Sequence, residues 1–334
     1  MIYKDRIYGK IKIEEPVILE LIKSKSLQRL KGIDQGGYAP LYYNPRNLSL
    51  KEIDHRRFEH SLGVYYLLKR FGAGLEEQIA GLIHDVSHSI FSHCIDYVLK
   101  VGSQKKHNHQ DNIFRKFVEK TEIPKILERY NFNKDYILDE KNFPLKERAL
   151  PELCADRLDY SLRTAIIFKE IDRQNLDYFL NSLIVRENNW IFKNLESAKR
   201  YARLFLKMNT FYYSGLYSAV MFSTVGNTLR YSLKNNYISE RDLYSTDKKV
   251  LNKIRKYLKK DKKLKLFFSR MNGKIRFKND LRRYDSHIFC KSRIVDPLFI
   301  TNGRIKRLSG ADSKWKKLTE KELKPKEYFV KFEK

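Results

Sequence analysis

The chain has 334 residues, 42% of them hydrophobic and 32% charged, which is enough apolar material for more than one packed unit and excludes wholesale disorder. Lys and Arg total 68 against 40 Asp and Glu, a net charge of +28, which attracts polyanions (nucleotides, nucleic acid or an acidic membrane surface) without choosing among them. No apolar run approaches the roughly 18 residues of a membrane span, and three scattered cysteines (Cys94, Cys154, Cys290) form neither a disulfide framework nor a metal pair. With no basic-then-apolar leader after Met1, a cytoplasmic protein without a membrane partner is expected.

Residues 1–15 alternate loosely and predict a short strand pair. Pro16 opens a helical pattern that Gly36-Gly37 stops, and the Pro-, Asn- and Tyr-rich stretch 38–50 reads as loop. Helices are predicted from Arg56 to Phe71, Glu76 to Val86 and Ile90 to Leu99, then over 109–120, 149–168, 173–185 and 194–235. Val185–Phe192 can instead form a hairpin. Beyond 240 a Lys-rich helical stretch runs to about 268, followed by short strand-like pieces at 274–278, 288–290, 294–300, 304–308 and 328–332. The expected fold is mainly α. A helical body fills 1–240, and a smaller, mixed α+β basic unit fills 241–334, with 30 Lys/Arg against 11 Asp/Glu.

The eight histidines are unevenly spread, and seven lie between His55 and His109. That crowding suggests a metal or acid–base site. At its centre is His84-Asp85, a doublet that can converge on one cation near a helix end. His60 and Asp156 from distant segments would complete a mixed nitrogen and oxygen set suited to a divalent ion with open positions. Taken singly, each could be a core histidine or a helix cap; the ordered set is far more specific. His55 and His107 are expected at the surface.

The set is embedded in Arg57-Phe58-Glu59-His60-Ser61-Leu62-Gly63, Ile79-Ala80-Gly81-Leu82-Ile83-His84-Asp85, His88, Phe91-Ser92-His93, His109 and Asp156-Arg157-Leu158-Asp159-Tyr160, with Leu27-Gln28-Arg29-Leu30 and Gln35 upstream. In these residues the chain resembles the HD-domain phosphohydrolase superfamily, and within it the SAM-and-HD-domain deoxynucleoside triphosphohydrolases and their prokaryotic relatives. The resemblance implies one divalent ion (Mg, Mn, Fe, Ni or Zn) held by His60, His84, Asp85 and Asp156. It implies catalytic roles for His88, His93, Asp96 and His109 along a phosphate path. It also implies substrate contacts from Gln35, Arg57, Arg157 and Tyr160, a nucleotide substrate and a homo-oligomer. In one departure, 211–222 has no Arg or Lys where the animal enzymes carry a basic and aromatic cluster.

A (deoxy)nucleoside triphosphohydrolase is therefore the first expectation. The alternative is a metal-dependent nuclease or end-processing phosphodiesterase that binds nucleic acid through the basic C-terminal unit. Every residue proposed for chemistry precedes 170, so 241–334 is expected to supply charge, assembly or gating.

Overall fold

A computed structural model describes residues 1–38 and 41–333. The chain opens on an antiparallel hairpin, Ile2–Asp5 with Gly9–Lys12. The helix Pro16–Lys23 starts with proline at its first position, where a missing amide costs nothing. Its successor Lys25–Arg29 is capped by Ser24, whose hydroxyl accepts from Leu27 N–H.

The helices Arg57–Arg70, Leu75–Ile83 and Ala155–Ile167 pack together and carry the histidine- and aspartate-rich motifs. Gly81 lets the first two approach closely. A Cβ there would lie 2.4 Å from Leu68 Cδ1 and 3.1 Å from Val64 Cγ1. After Ile83 the chain turns tightly, with Val86 N–H donating to Ile83 O and His88 N–H to Asp85 O. Arg29 reaches under this turn and donates to the carbonyls of Val86 and His88, both at 2.7 Å.

Three predicted elements take a different form. The expected helix over Ile90–Leu99 is a 3-10 segment, Ser92–Tyr97, because Phe91 and Ser92 adopt left-handed φ of 52° and 50°. The expected helix over 149–168 begins at Ala155, after Pro151. The long pattern over 194–235 divides into Leu195–Met208 and Leu216–Lys234, joined by a π-turn at Asn209–Tyr213. The hairpin reading of 185–192 is correct: Leu183–Arg186 pairs antiparallel with Asn189–Phe192.

Packing does not break at residue 240. Strand Leu298–Thr301 pairs parallel with Asn189–Phe192 and antiparallel with Arg304–Arg307, giving a four-stranded sheet that spans both parts of the chain. The second small sheet places Lys326–Phe332 between Phe277–Asn279 and Ser286–Cys290. Its Ile288 and Val330 share an apolar core with Ile95, Val225 and Leu229. Asp247, at the start of helix Asp247–Arg255, accepts from the backbone N–H of both Asp34 and Phe91 at 2.8 Å. The C-terminal segment thus holds the backbone next to Gln35 and Ser92. Among the described residues, no helix is long and apolar enough to cross a membrane.

Candidate metal centre and its cavity

His60 projects from the Arg57–Arg70 helix and is fully buried. His84 and Asp85 sit in the turn after Ile83, where the helical 100° offset between neighbours no longer separates them. Asp156 lies in the first turn of Ala155–Ile167. The four side chains converge. His60 Nε2 is 2.8 Å from Asp156 Oδ1 and 3.2 Å from His84 Nε2, and His84 Nε2 is 3.4 Å from Asp156 Oδ1. Asp85 Oδ1 is 3.3 Å from His84 Nε2, and its Oδ2 is 3.7 Å from His60 Nε2.

Each ring is oriented from behind. His84 Nδ1 donates to Gly81 O at 2.7 Å, and His60 Nδ1 donates to Asp159 Oδ2 at 2.7 Å, which turns both Nε2 atoms toward the shared point, where a bound cation would displace any proton they carry. Asp159 is in turn gripped by Arg163 at 2.9 and 3.0 Å, and Arg163 reaches Asp5 at 3.1 Å. All of these groups are buried. Gly63 makes room for this chain, since a Cβ there would lie 1.9 Å from Asp159 Oδ1.

Burial disfavours both carboxylate charges. Even so, Arg57, His84 and His88 hold Asp85 well below its usual range, and His60 and His84 do the same for Asp156. For His60, burial opposes the charged ring, but Asp156 and Asp159 outweigh it and push it up to about 9. His60, His84 and Asp156 each place one donor atom within 4.8 Å of the others, and Asp85 stands 3.3 Å from His84 and 3.7 Å from His60, a mixed nitrogen and oxygen set that fits one divalent cation.

A cavity of about 550 Å³ opens over this point, within the range of small-molecule sites. Gln35 lines it, and the Gln35 Oε1 is buried with no hydrogen-bond partner among the described residues. His88 and His93 also line it, rings 5.1 Å apart, with His107 stacked on His93 at 5.0 Å. Burial, with Arg57 beside it, pushes His88 down to about 3, and burial also holds His93 and His107 well below the usual imidazole range. The wall is thus neutral imidazole, able to donate or accept a proton at each ring.

Asp96 Oδ2 is 3.3 Å from His93 Nδ1, while its Oδ1 accepts from His109 N–H at 2.9 Å. Burial pushes Asp96 up to about 7, the His109 amide opposing. A carboxyl held protonated by folding contributes stability that is complete below about pH 4 and lost as pH rises through about 7. Each pH unit crossed in that window is worth about 1.4 kcal/mol at most. Melting temperature measured from pH 4 to 8 should therefore fall less steeply in Asp96→Asn than in the unaltered protein; parallel curves would exclude this role for Asp96.

The other expected site residues divide. Tyr160 lines the cavity, edge-on to Tyr213 at 5.4 Å. Arg57 also lines it, but its fork is occupied: NH1 donates to Asp85 Oδ2 at 2.6 Å and Nε to Ser92 Oγ at 2.8 Å. Arg57 therefore fixes the Asp85 carboxylate. Arg157 donates to Glu152 O, Glu147 Oε1 and Arg148 O, so its guanidinium braces the 147–152 loop. His109 is turned away from the cavity, with Nε2 3.0 Å from Tyr244 OH.

Several lining residues were not anticipated. His55 and His107, expected at the surface, are 3% and 2% exposed and line the cavity. Lys146, Arg148, Lys291 and Arg293 line it too, so the segment 241–334, expected to supply charge, assembly or gating, places two cations on the cavity wall. Nothing in the sequence marked Lys291 and Arg293, which fall between the predicted strand-like pieces 288–290 and 294–300.

The HD domain family matches residues 57–173, which include all four converging side chains. YdhJ of Bacillus subtilis, an uncharacterized protein, is 35% identical over 95% of this chain and 94% of its own length. The metal-dependent phosphohydrolase cns2 of Cordyceps militaris is 36% identical over 55% of this chain and 50% of its own. The mouse deoxynucleoside triphosphate triphosphohydrolase SAMHD1 is 30% identical over 45% of this chain and 26% of its own. The chain thus spans nearly all of the first relative and half or less of the other two.

Proposed function

This chain belongs to the HD-domain phosphohydrolase superfamily, and from that premise we propose that it is a metal-dependent hydrolase of nucleoside polyphosphates, with deoxynucleoside triphosphates as first substrates. The observation that carries the reading is one cavity, lined by His84, Asp85 and Asp156 beside His60, that also reaches a histidine wall and two cations with no ion pair among the described residues. The name of the mouse relative supports the triphosphate.

His60, His84, Asp85 and Asp156 would hold one divalent ion, which when bound supplies a polarised phosphoryl oxygen and a water of lowered pKa. The protein's own residues do the rest. Arg57 locks the Asp85 carboxylate, and Asp159 and Gly81 O lock the two rings. His93, oriented by Asp96, is placed to deliver the proton that the departing 5′ oxygen needs, and the negative charge of a bound phosphate raises its proton affinity. Gln35 offers its unpartnered Oε1 to a hydroxyl or amine of the nucleoside. Assembly as a homo-oligomer and cytoplasmic residence belong to the same proposal.

The test is the full chain incubated with Mg, Mn, Fe, Ni or Zn and a panel of nucleotides and oligonucleotides, with products separated by chromatography. Deoxynucleoside and inorganic tripolyphosphate are the expected products. Cleavage of single-stranded oligonucleotides while every mononucleotide survives would assign the nuclease alternative.

A further inference from the structure

Of the six cations that line the cavity, three are paired with carboxylates and Arg148 donates to the side-chain oxygen of Asn189 at 2.6 Å. Arg57 pairs with Asp85, Arg157 with Glu147, and Lys146 Nζ is 3.2 Å from Glu140. Lys291 and Arg293 are different. Both are only partly exposed, and neither makes an ion pair among the described residues. Among those residues, the one side-chain hydrogen bond that either cation makes is Arg293 NH1 to the carbonyl of Lys291, at 3.2 Å. The pair stands close enough that Arg293, after burial itself, helps push Lys291 down to about 8. Asp111 and Glu147, which also line the cavity, oppose that shift, yet neither makes an ion pair with Lys291 or Arg293 among the described residues, so an added anion still lowers the energy of two like charges in a half-buried place.

Their backbone is fixed. Arg293 N–H donates to Asn209 Oδ1 at 2.9 Å, and Asn209 Nδ2 donates to Ser292 Oγ at 3.0 Å and to Glu322 Oε2 at 3.2 Å. Asn209 is fully buried and opens the π-turn that also sends Tyr212 and Tyr213 to the cavity. The extra residue of a π-turn commonly marks a functional position. Here it aims an amide at the backbone carrying both cations. Farther along, Asp296 N–H donates to Pro151 O at 2.9 Å, so the segment is tied on both sides. The charge of Arg293 is felt by His93 and His107 on one side and by Tyr160 and Tyr213 on the other.

We propose that Lys291 and Arg293 form an anion subsite for the phosphates of the substrate that lie farthest from the metal cluster, so that the segment beyond residue 240 contributes to the grip on the polyphosphate. The subsite rests on the nucleoside polyphosphate reading for its substrate, but its ligand chemistry, a condensed phosphate, can be tested without turnover. Arginine binds two phosphate oxygens through its planar fork, and lysine adds a point charge.

Inorganic tripolyphosphate is titrated calorimetrically into the full chain and into Arg293→Gln, Lys291→Gln and, as a control, the exposed Lys306→Gln. Each of the first two should weaken binding by about tenfold or more while metal content per chain stays constant, and the control should bind as the unaltered protein does. Arg293→Lys should recover part of the loss, because the charge returns without the fork. In turnover, Arg293→Gln should raise KM for a deoxynucleoside triphosphate more than it lowers kcat. Unchanged tripolyphosphate binding in both Gln variants overturns the subsite, as does an equal loss in Lys306→Gln. Should the unaltered protein hydrolyse no triphosphate while the Gln variants still lose tripolyphosphate binding, the subsite stands and the substrate reading falls. Circular dichroism identifies a misfolded variant, in which case Lys291→Gln and Arg293→Lys carry the test.

Discussion

Replacing His84 and Asp85 together by alanine is expected to remove the bound metal and to lower phosphohydrolase activity by at least about a thousandfold, a drop of roughly 4 kcal/mol or more in transition-state stabilisation. Two of four donors disappear, and the remaining His60 and Asp156 offer too few bonds to retain an ion. The frame survives, because Ile79, Leu82, Ile83 and Val86 are fully buried and untouched. The structure adds a cost that the motif alone does not reveal. Asp85 is the partner of buried Arg57 at 2.6 Å, and an uncompensated buried guanidinium is destabilising by roughly 3–5 kcal/mol. Asp85→Asn is therefore the companion variant. It keeps an acceptor for Arg57 but weakens the donor to the ion, so it should lose metal while melting nearer the unaltered protein. Elemental analysis, circular dichroism and turnover separate the two effects. Full activity in the double variant would place the chemistry elsewhere.

Arg163→Met should cost about 3–5 kcal/mol and lower the melting temperature by roughly 10 °C. Arg163 is fully buried and is the cation for two buried carboxylates, Asp159 at 2.9 Å and Asp5 at 3.1 Å. Methionine fills the volume but takes the guanidinium from both acids, leaving Asp159 only His60 and Asp5 only two backbone amides, and neither can reach water. Asp5→Asn should cost less, since Arg163 keeps Asp159 and Asp5 Oδ1 already accepts from Ile7 and Tyr8 N–H. Because Asp159 sets the orientation of His60, Arg163→Met should also weaken metal retention at temperatures where the chain is still folded. Thermal melts with metal analysis of the folded fraction check both effects. An unchanged melting temperature would mean that the buried triad carries no stability.

Elements with a strong local signal were legible in the sequence. The apolar spacing of Arg57–Arg70 and Leu75–Ile83 showed both helices, and the order of His60, His84-Asp85 and Asp156 showed which side chains meet. Signals that arise from distant contacts were not legible. Ile90–Leu99 has helical spacing, yet Ile90 N–H is taken by Leu243 O and Phe91 N–H by Asp247, and this tertiary pull favours left-handed φ over a regular helix. His107 follows Lys105 and Lys106 and looks solvated. It is buried by Tyr97 and Phe222, the latter more than a hundred positions away. Arg157 matched its motif position but turned its fork to the 147–152 loop, because Glu147 and two carbonyls satisfy it there. Lys291 and Arg293 were counted only as charge, since nothing near them in the chain announces Asn209.

The line from Asp5 through Arg163 and Asp159 to His60, threaded past Gly63, sets how this protein can drift over generations. A lineage in which Gly63 acquires any side chain must first move the Asp159 carboxylate, and that carboxylate cannot move while Arg163 holds it and His60 leans on it. The four positions 5, 63, 159 and 163 are therefore expected to be inherited as a block: kept together, or exchanged together for an apolar set that leaves no acid stranded. Single exchanges at any one of them should be rare among descendants that still bind metal, even though Asp5 lies in the opening hairpin, where sequence ordinarily wanders most freely.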